Sequence, residues 1–161
     1  MIADINQPTG PTIKRGKSKQ DYSTPKEFLD AVRARFGSID ADLAASAANA
    51  VSPAFYDVAK EDSLTRAWNE LGGWLWLNPP FNNIEPWAAK CAAESALGAR
   101  ILFLTPASVG SNWFQQWVYP SANVLMLNPR ISFDGKNAFP KDLILSVFSG
   151  GMRGMQPWRW K

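Results

Sequence analysis

Asn78, Pro79, Pro80 and Phe81 follow immediately on the aromatic and aliphatic run Trp74, Leu75, Trp76, Leu77. Two successive prolines fix φ twice and remove two N–H donors, which leaves a stiff loop with bare carbonyls. The side-chain oxygen of Asn78 and the carbonyl of Pro79 then offer two acceptors to one point, an arrangement that suits an amine. An exocyclic amine on a nucleobase is a poor nucleophile because its lone pair is delocalised into the ring. Holding both N–H groups favours a pyramidal nitrogen with its lone pair aimed at an electrophile, so positioning and electrostatics would do most of the work. Phe81 would offer a flat face to a base drawn out of a duplex. The plainer alternative is an asparagine that caps the next turn while the prolines end a strand.

Composition removes several competing chemistries. The 161 residues hold one cysteine and no histidine, so a disulfide framework, a Cys/His zinc site and a histidine base are excluded. Cys91 lies in AAKCAAE, a helical pattern, and reads as a small buried residue rather than the thiolate that methylation at a ring carbon needs. Hydrophobic residues make up 46% and charged residues 19%, ordinary for one globular domain. No apolar run approaches the roughly 20 residues of a membrane span, and MIADINQPTG has no secretory hydrophobic region, which predicts a soluble cytoplasmic protein.

These residues need a scaffold, and the chain alternates helical and strand signals. STPKEFLDAVRARFG predicts a helix with Thr24 as N-cap and Pro25 at its first position, presenting Phe28, Leu29, Val32 and Phe36 on one face. SIDADLAAS predicts a short strand running into a loop, EDSLTRAWNELGG a short amphipathic helix, and WLWL, residues 74 to 77, a strand. Beyond Phe81, NIEPWAAKCAAESALG predicts a helix, RILFLTP a strand, SNWFQQWV a helix and NVLMLN a strand. Asp134 and Gly135 mark a turn between two strand-like runs. The alternation predicts a single-domain α/β fold, a mostly parallel sheet covered on both faces with an antiparallel hairpin at one edge. In such sheets ligands bind where strands end at their carboxyl side, which is where Asn78 falls. Trp68, Trp74, Trp76 and Trp87 fit core faces.

Charge divides unevenly. Residues 1 to 20 carry Lys14, Arg15, Lys17 and Lys19 against Asp4, and residues 151 to 161 carry Arg153, Arg159 and Lys161 with no acid. Residues 21 to 150 hold 10 basic and 13 acidic groups, so basic ends flank an acidic body although the whole chain is +3. The first segment reads as a flexible arm that either solubilises or tracks phosphates, and the last as a tail whose Trp158 and Trp160 either stack on bases or dock on the core.

NPPF resembles the amino-methyltransferase motif, Asp or Asn followed by two prolines and an aromatic residue, of enzymes that methylate adenine N6 or cytosine N4 with S-adenosylmethionine. Thr24 and Pro25 resemble the motif contacting the methionine end of that cofactor. DLAAS, residues 42 to 46, resembles the turn after the first strand, and DSL, residues 62 to 64, the element against the cofactor's adenine. Together with LTPAS, NWF and RISF, their order is similar to the compact phage-type DNA N6-adenine methyltransferases over roughly residues 20 to 150. The resemblance implies a Rossmann-like methyltransferase domain, residues 21 to 150, acting on double-stranded DNA by base flipping; no metal is implied, and a monomer is the default expectation.

It assigns Asn78, Pro79, Pro80 and Phe81 to catalysis. Thr24, Pro25, Asp42, Ala44 and Asp62 fall to the cofactor, and Trp113 and Arg130 to the substrate. Asp42 is favoured over Asp40 because it immediately precedes the small-residue turn; either could be a helix N-cap, and Arg130 a plain surface residue. Residues 42 to 50, DLAASAANA, lack the usual glycines of the cofactor loop, and Pro129 stands where glycine often precedes the arginine. The alternatives are another amine acceptor (cytosine N4, RNA adenine or a protein glutamine) and a nucleic-acid-binding module without turnover.

Overall fold

The computed structural model describes residues 23–161; the expected N-terminal arm, residues 1 to 20, lies outside the described residues. Helix α1, Lys26–Phe36, leads into strand β1, Ile39–Ala45, and the short β2, Phe55–Asp57. Strand β3, Trp74–Leu77, runs into the NPPF segment and helix α2, Glu85–Ala96. Strands β4, Arg100–Pro106, β5, Asn123–Asn128, β6, Leu143–Phe148, and β7, Gly154–Arg159, complete one seven-stranded sheet.

The sheet order is β2-β1-β3-β4-β6-β5-β7. All strand pairs are parallel except the two that β6 makes with β4 and β5. The antiparallel element expected at an edge is therefore a single strand inside the sheet. A further strand, β7, forms the edge beyond it, from residues expected to be a tail.

Alternate residues of β4 face opposite cores, Ile101 and Phe103 towards α2 and Leu102 and Leu104 towards α1. That two-sided burial explains the uninterrupted apolar runs. On the α1 side, Phe28 meets Trp76, Trp158 and Trp160 edge-on or tilted, with ring centroids 6.3, 5.9 and 5.2 Å away. The Trp160 indole N–H donates to Pro129 O at 2.7 Å, so both C-terminal tryptophans dock on the core.

Local differences have local causes. The N-cap of α1 is Pro25 rather than Thr24, in extended geometry with φ −60° and ψ 137°, and its carbonyl accepts Leu29 N. The helix expected over residues 61 to 73 is instead two 3₁₀ turns, Ser63–Thr65 and Trp68–Glu70. The Asp62 carboxylate accepts Leu64 N, and the Trp68 indole N–H reaches back to Ser63 O, bonds that close short turns instead of extending one helix. The segment after Gly110 contains a π-helical turn, Phe114–Val118, with Tyr119 N on Phe114 O. Asp134 does organise a turn, its carboxylate accepting Lys136 N and Asn137 N, but the turn belongs to a long loop, residues 129–142, rather than a hairpin.

Candidate active site

The chain turns from β1 outward to β2, while β3 lies on the other side of β1. The carboxyl ends of β1 and β3 therefore face a topological switch point, where an open α/β sheet leaves a crevice for ligands. Thr24, Asp42, Ala44, Asn49, Val51, Trp76 and Asn78 line one pocket there. Sequence positions from the start of α1, from β1 and from the end of β3 thus converge on a single concavity.

Asp42 is 3% exposed, and its carboxylate accepts Ala44 N at 3.2 Å and Val51 N at 3.1 Å. Burial pushes its pKa up to about 6, while the two N–H bonds pull the other way. Those bonds also shape the loop lacking glycine. Asn49 Oδ1 accepts Ser46 N at 2.7 Å and the Ser46 hydroxyl at 3.1 Å, and no non-glycine residue among those described has positive φ. The turn is closed by side chains and needs no left-handed residue. Asp40 lies elsewhere, accepting Trp74 N at 2.9 Å and filling the space beside Gly73.

Asn78 Nδ2 donates to Thr24 Oγ1 at 3.2 Å, across 54 residues of sequence. Pro79 is buried, and Pro80 and Phe81 are half-buried. The Phe81 ring meets Phe139 at 6.1 Å and 69°, and Phe139 meets Phe133 at 5.3 Å and 86°. This edge-to-face chain joins the NPPF loop to residues 129–142. Phe81 and Trp113 share a second pocket with Asn82, Asn83, Ile84, Glu85, Pro106, Ser108 and Lys141.

Asp62 lines a third pocket, with Val58, Ala59, Lys60, Glu61, Ser63 and Trp87. Its lining is tied to β1, because Val58 N donates to Ala45 O at 3.0 Å. The Ser63 hydroxyl is buried without a hydrogen-bond partner. Pro25 is not among the residues lining these pockets. Arg130 Nε donates to Asp142 Oδ1 at 2.8 Å, both side chains half exposed or more, so its charge is engaged within the loop.

Asp57, which ends β2, was not singled out in the sequence. Its carboxylate is held below the usual range chiefly by Ala59 N, at 3.1 Å, and also by Lys60, at 3.2 Å. It lines none of the three pockets, and its partners are local to the turn after β2.

An open sheet with helices on both faces and a polar pocket at its switch point is the Rossmann-like architecture of a methyltransferase. The chain belongs to the DNA N-6-adenine-methyltransferase (Dam) family, whose sequence profile matches residues 12–146. It is also 27% identical over 130 residues to a protein of Escherichia phage T1 described as a DNA N-6-adenine-methyltransferase. That match covers 80% of this chain and 54% of the phage T1 protein, so the chain spans about half the length of the curated relative it matches.

Proposed function

We propose that this chain transfers a methyl group from S-adenosylmethionine to N6 of adenine in duplex DNA, acting as a monomer on a base flipped out of the stack. The observation that carries the reading is the convergence of Asn78, Thr24 and Asp42 on one pocket at the switch point, with Phe81 on the pocket beside it.

The residues present fit the cofactor. The buried Asp42 carboxylate suits a cationic ligand, because ionising it alone in that pocket is costly and a positive charge offsets the cost. Thr24 and Ala44 complete the same wall, and Asp62 offers a carboxylate in the pocket it shares with Ser63 and Trp87. S-adenosylmethionine, when bound, supplies an electrophilic methyl group.

Asn78 Oδ1 and the Pro79 carbonyl accept the two N–H bonds of the target amine and draw its lone pair out of conjugation. Pro79 and Pro80 hold the loop stiff, so little reorganisation is needed as charge develops. Phe81 stacks on the extruded base, braced by Phe139, and Trp113 closes the same pocket from the π-helical side. The methylated nitrogen is cationic and loses its proton to water, so no histidine is required. Lys141, on the 129–142 loop, lines the Phe81 pocket and would meet the DNA backbone there, while Arg130 is held by Asp142.

The test is to incubate the protein with labelled S-adenosylmethionine and unmethylated duplex DNA, digest to nucleosides and separate by mass spectrometry. N6-methyladenine is expected. N4-methylcytosine alone, or no labelled nucleoside, would overturn the reading.

A further inference from the structure

At the end of the sheet away from the Asn78 pocket, two arginines lie on one aromatic ridge. Arg35, in the last turn of α1, has its guanidinium carbon 5.0 Å from the Trp158 ring centroid and 5.6 Å from that of Phe36. Arg100, the first residue of β4, lies 5.0 Å over Trp74, the first residue of β3 and its register partner. Phe36 joins the two halves, edge-on to Trp74 at 5.3 Å and to Trp158 at 6.2 Å.

Stacking occupies the flat face of a guanidinium and leaves its N–H edge outward, where it matches two oxygens of a phosphate. Both arginines are exposed, and neither forms an ion pair among the described residues. Asp40, beside Trp74, accepts Trp74 N at 2.9 Å, and Asp30 is taken up by Lys26 and Arg33. The ridge therefore presents two cationic forks that are already oriented and desolvated on one side.

Its position separates it from the reaction. Trp74 and Asn78 stand at opposite ends of β3, roughly 13 Å apart at the rise of a strand. Arg35 and Thr24 stand at opposite ends of α1. A straight duplex across the carboxyl ends of the strands, with its target base in the Phe81 pocket, does not pass the amino ends of β3 and β4. Long DNA, however, supplies further segments at high local concentration.

We propose that the ridge of Arg35 and Arg100 holds phosphates of a second DNA segment while the first occupies the active site, so that the enzyme passes directly from one segment to another. This rests on the reading of duplex DNA as the substrate.

The experiment follows dissociation of a short fluorescent duplex from the full chain, chased with rising concentrations of an unlabelled duplex of unrelated sequence. Direct passage needs a complex holding both duplexes, so the wild-type rate is expected to climb with competitor by at least about threefold, and more steeply at low salt. In R35Q/R100Q the rate should be flat. Single-turnover methyl transfer to adenine in the short duplex should stay within about twofold of wild type, because both substitutions are on the surface. The thermal transition checks folding; if the pair unfolds, R35Q and R100Q are read singly, each expected to lower the slope against competitor.

A wild-type rate independent of competitor, as when the ridge serves an acidic protein surface instead, would overturn the proposal. An undiminished dependence in the variant would assign the second contact to another part of the chain and overturn it as well. So would a parallel loss of methyl transfer on the short duplex, which would place the arginines on the first segment. Each of these leaves the proposed function intact. A wild-type protein that transfers no methyl group to adenine in duplex DNA would overturn the proposed function and this inference with it.

Discussion

Asp42 ties stability, pH and ligand binding to one carboxyl group. Its pKa rises from 3.8 to about 6 because burial disfavours the charged form more than the N–H groups of Ala44 and Val51 favour it. Between those values the native state holds a proton that the unfolded chain releases, so the contribution is full below about pH 4 and is lost as pH rises through about 6. The difference corresponds to about 3 kcal/mol. Denaturant unfolding of wild type and D42N from pH 4 to 8 isolates it. D42N carries a constant offset, because an asparagine cannot accept both N–H bonds as the carboxylate does. The pH-dependent part of the difference should favour wild type at pH 4 and decline by up to about 3 kcal/mol by pH 7. A bound cation reverses the preference, so cofactor affinity should climb up to about tenfold per pH unit towards pH 6, level off above it, and stay flat in D42N. A wild-type-minus-D42N difference independent of pH would refute the argument.

Three other substitutions test other parts of the account. K90A strands the buried Glu94, whose partners are Lys90 and Asn69 N, and should cost about 3 kcal/mol in denaturant unfolding. G73A places a Cβ against the Asp40 carboxylate at a residue with φ +63°, and should cost about 3 kcal/mol by the same measurement. F139A removes the ring edge that braces Phe81; with about 1 kcal/mol at stake it should raise the KM for DNA about fivefold while calorimetric cofactor affinity stays unchanged.

Much of the scaffold was legible because its signals were local. Alternating strand and helix patterns marked β1, β3, β4, β5, α1 and α2, and the double proline after WLWL marked the end of β3. The parts that were not legible depend on long-range contacts. β7 contains Gly154 and Pro157, poor strand formers, and exists because residues 154–159 pair with all six residues of β5 and its tryptophan packs on Phe28 and Phe36. The interior position of β6 is set by which strands it pairs with, and no residue of LILSVF announces a partner. The bond from Asn78 to Thr24 spans 54 residues and carries no periodic signal. The glycine-free turn after β1 was legible as a departure, and its explanation, side-chain closure by Asp42 and Asn49, needed coordinates.

The central claim is that Asn78 accepts the amine that becomes methylated. Single-turnover methyl transfer to adenine in duplex DNA, measured for wild type and N78A with the cofactor affinity of each determined in parallel, tests it most directly. The account expects N6-methyladenine from wild type, a loss of at least about a hundredfold in N78A, and cofactor affinity retained within severalfold. Transfer by N78A at the wild-type rate would contradict it.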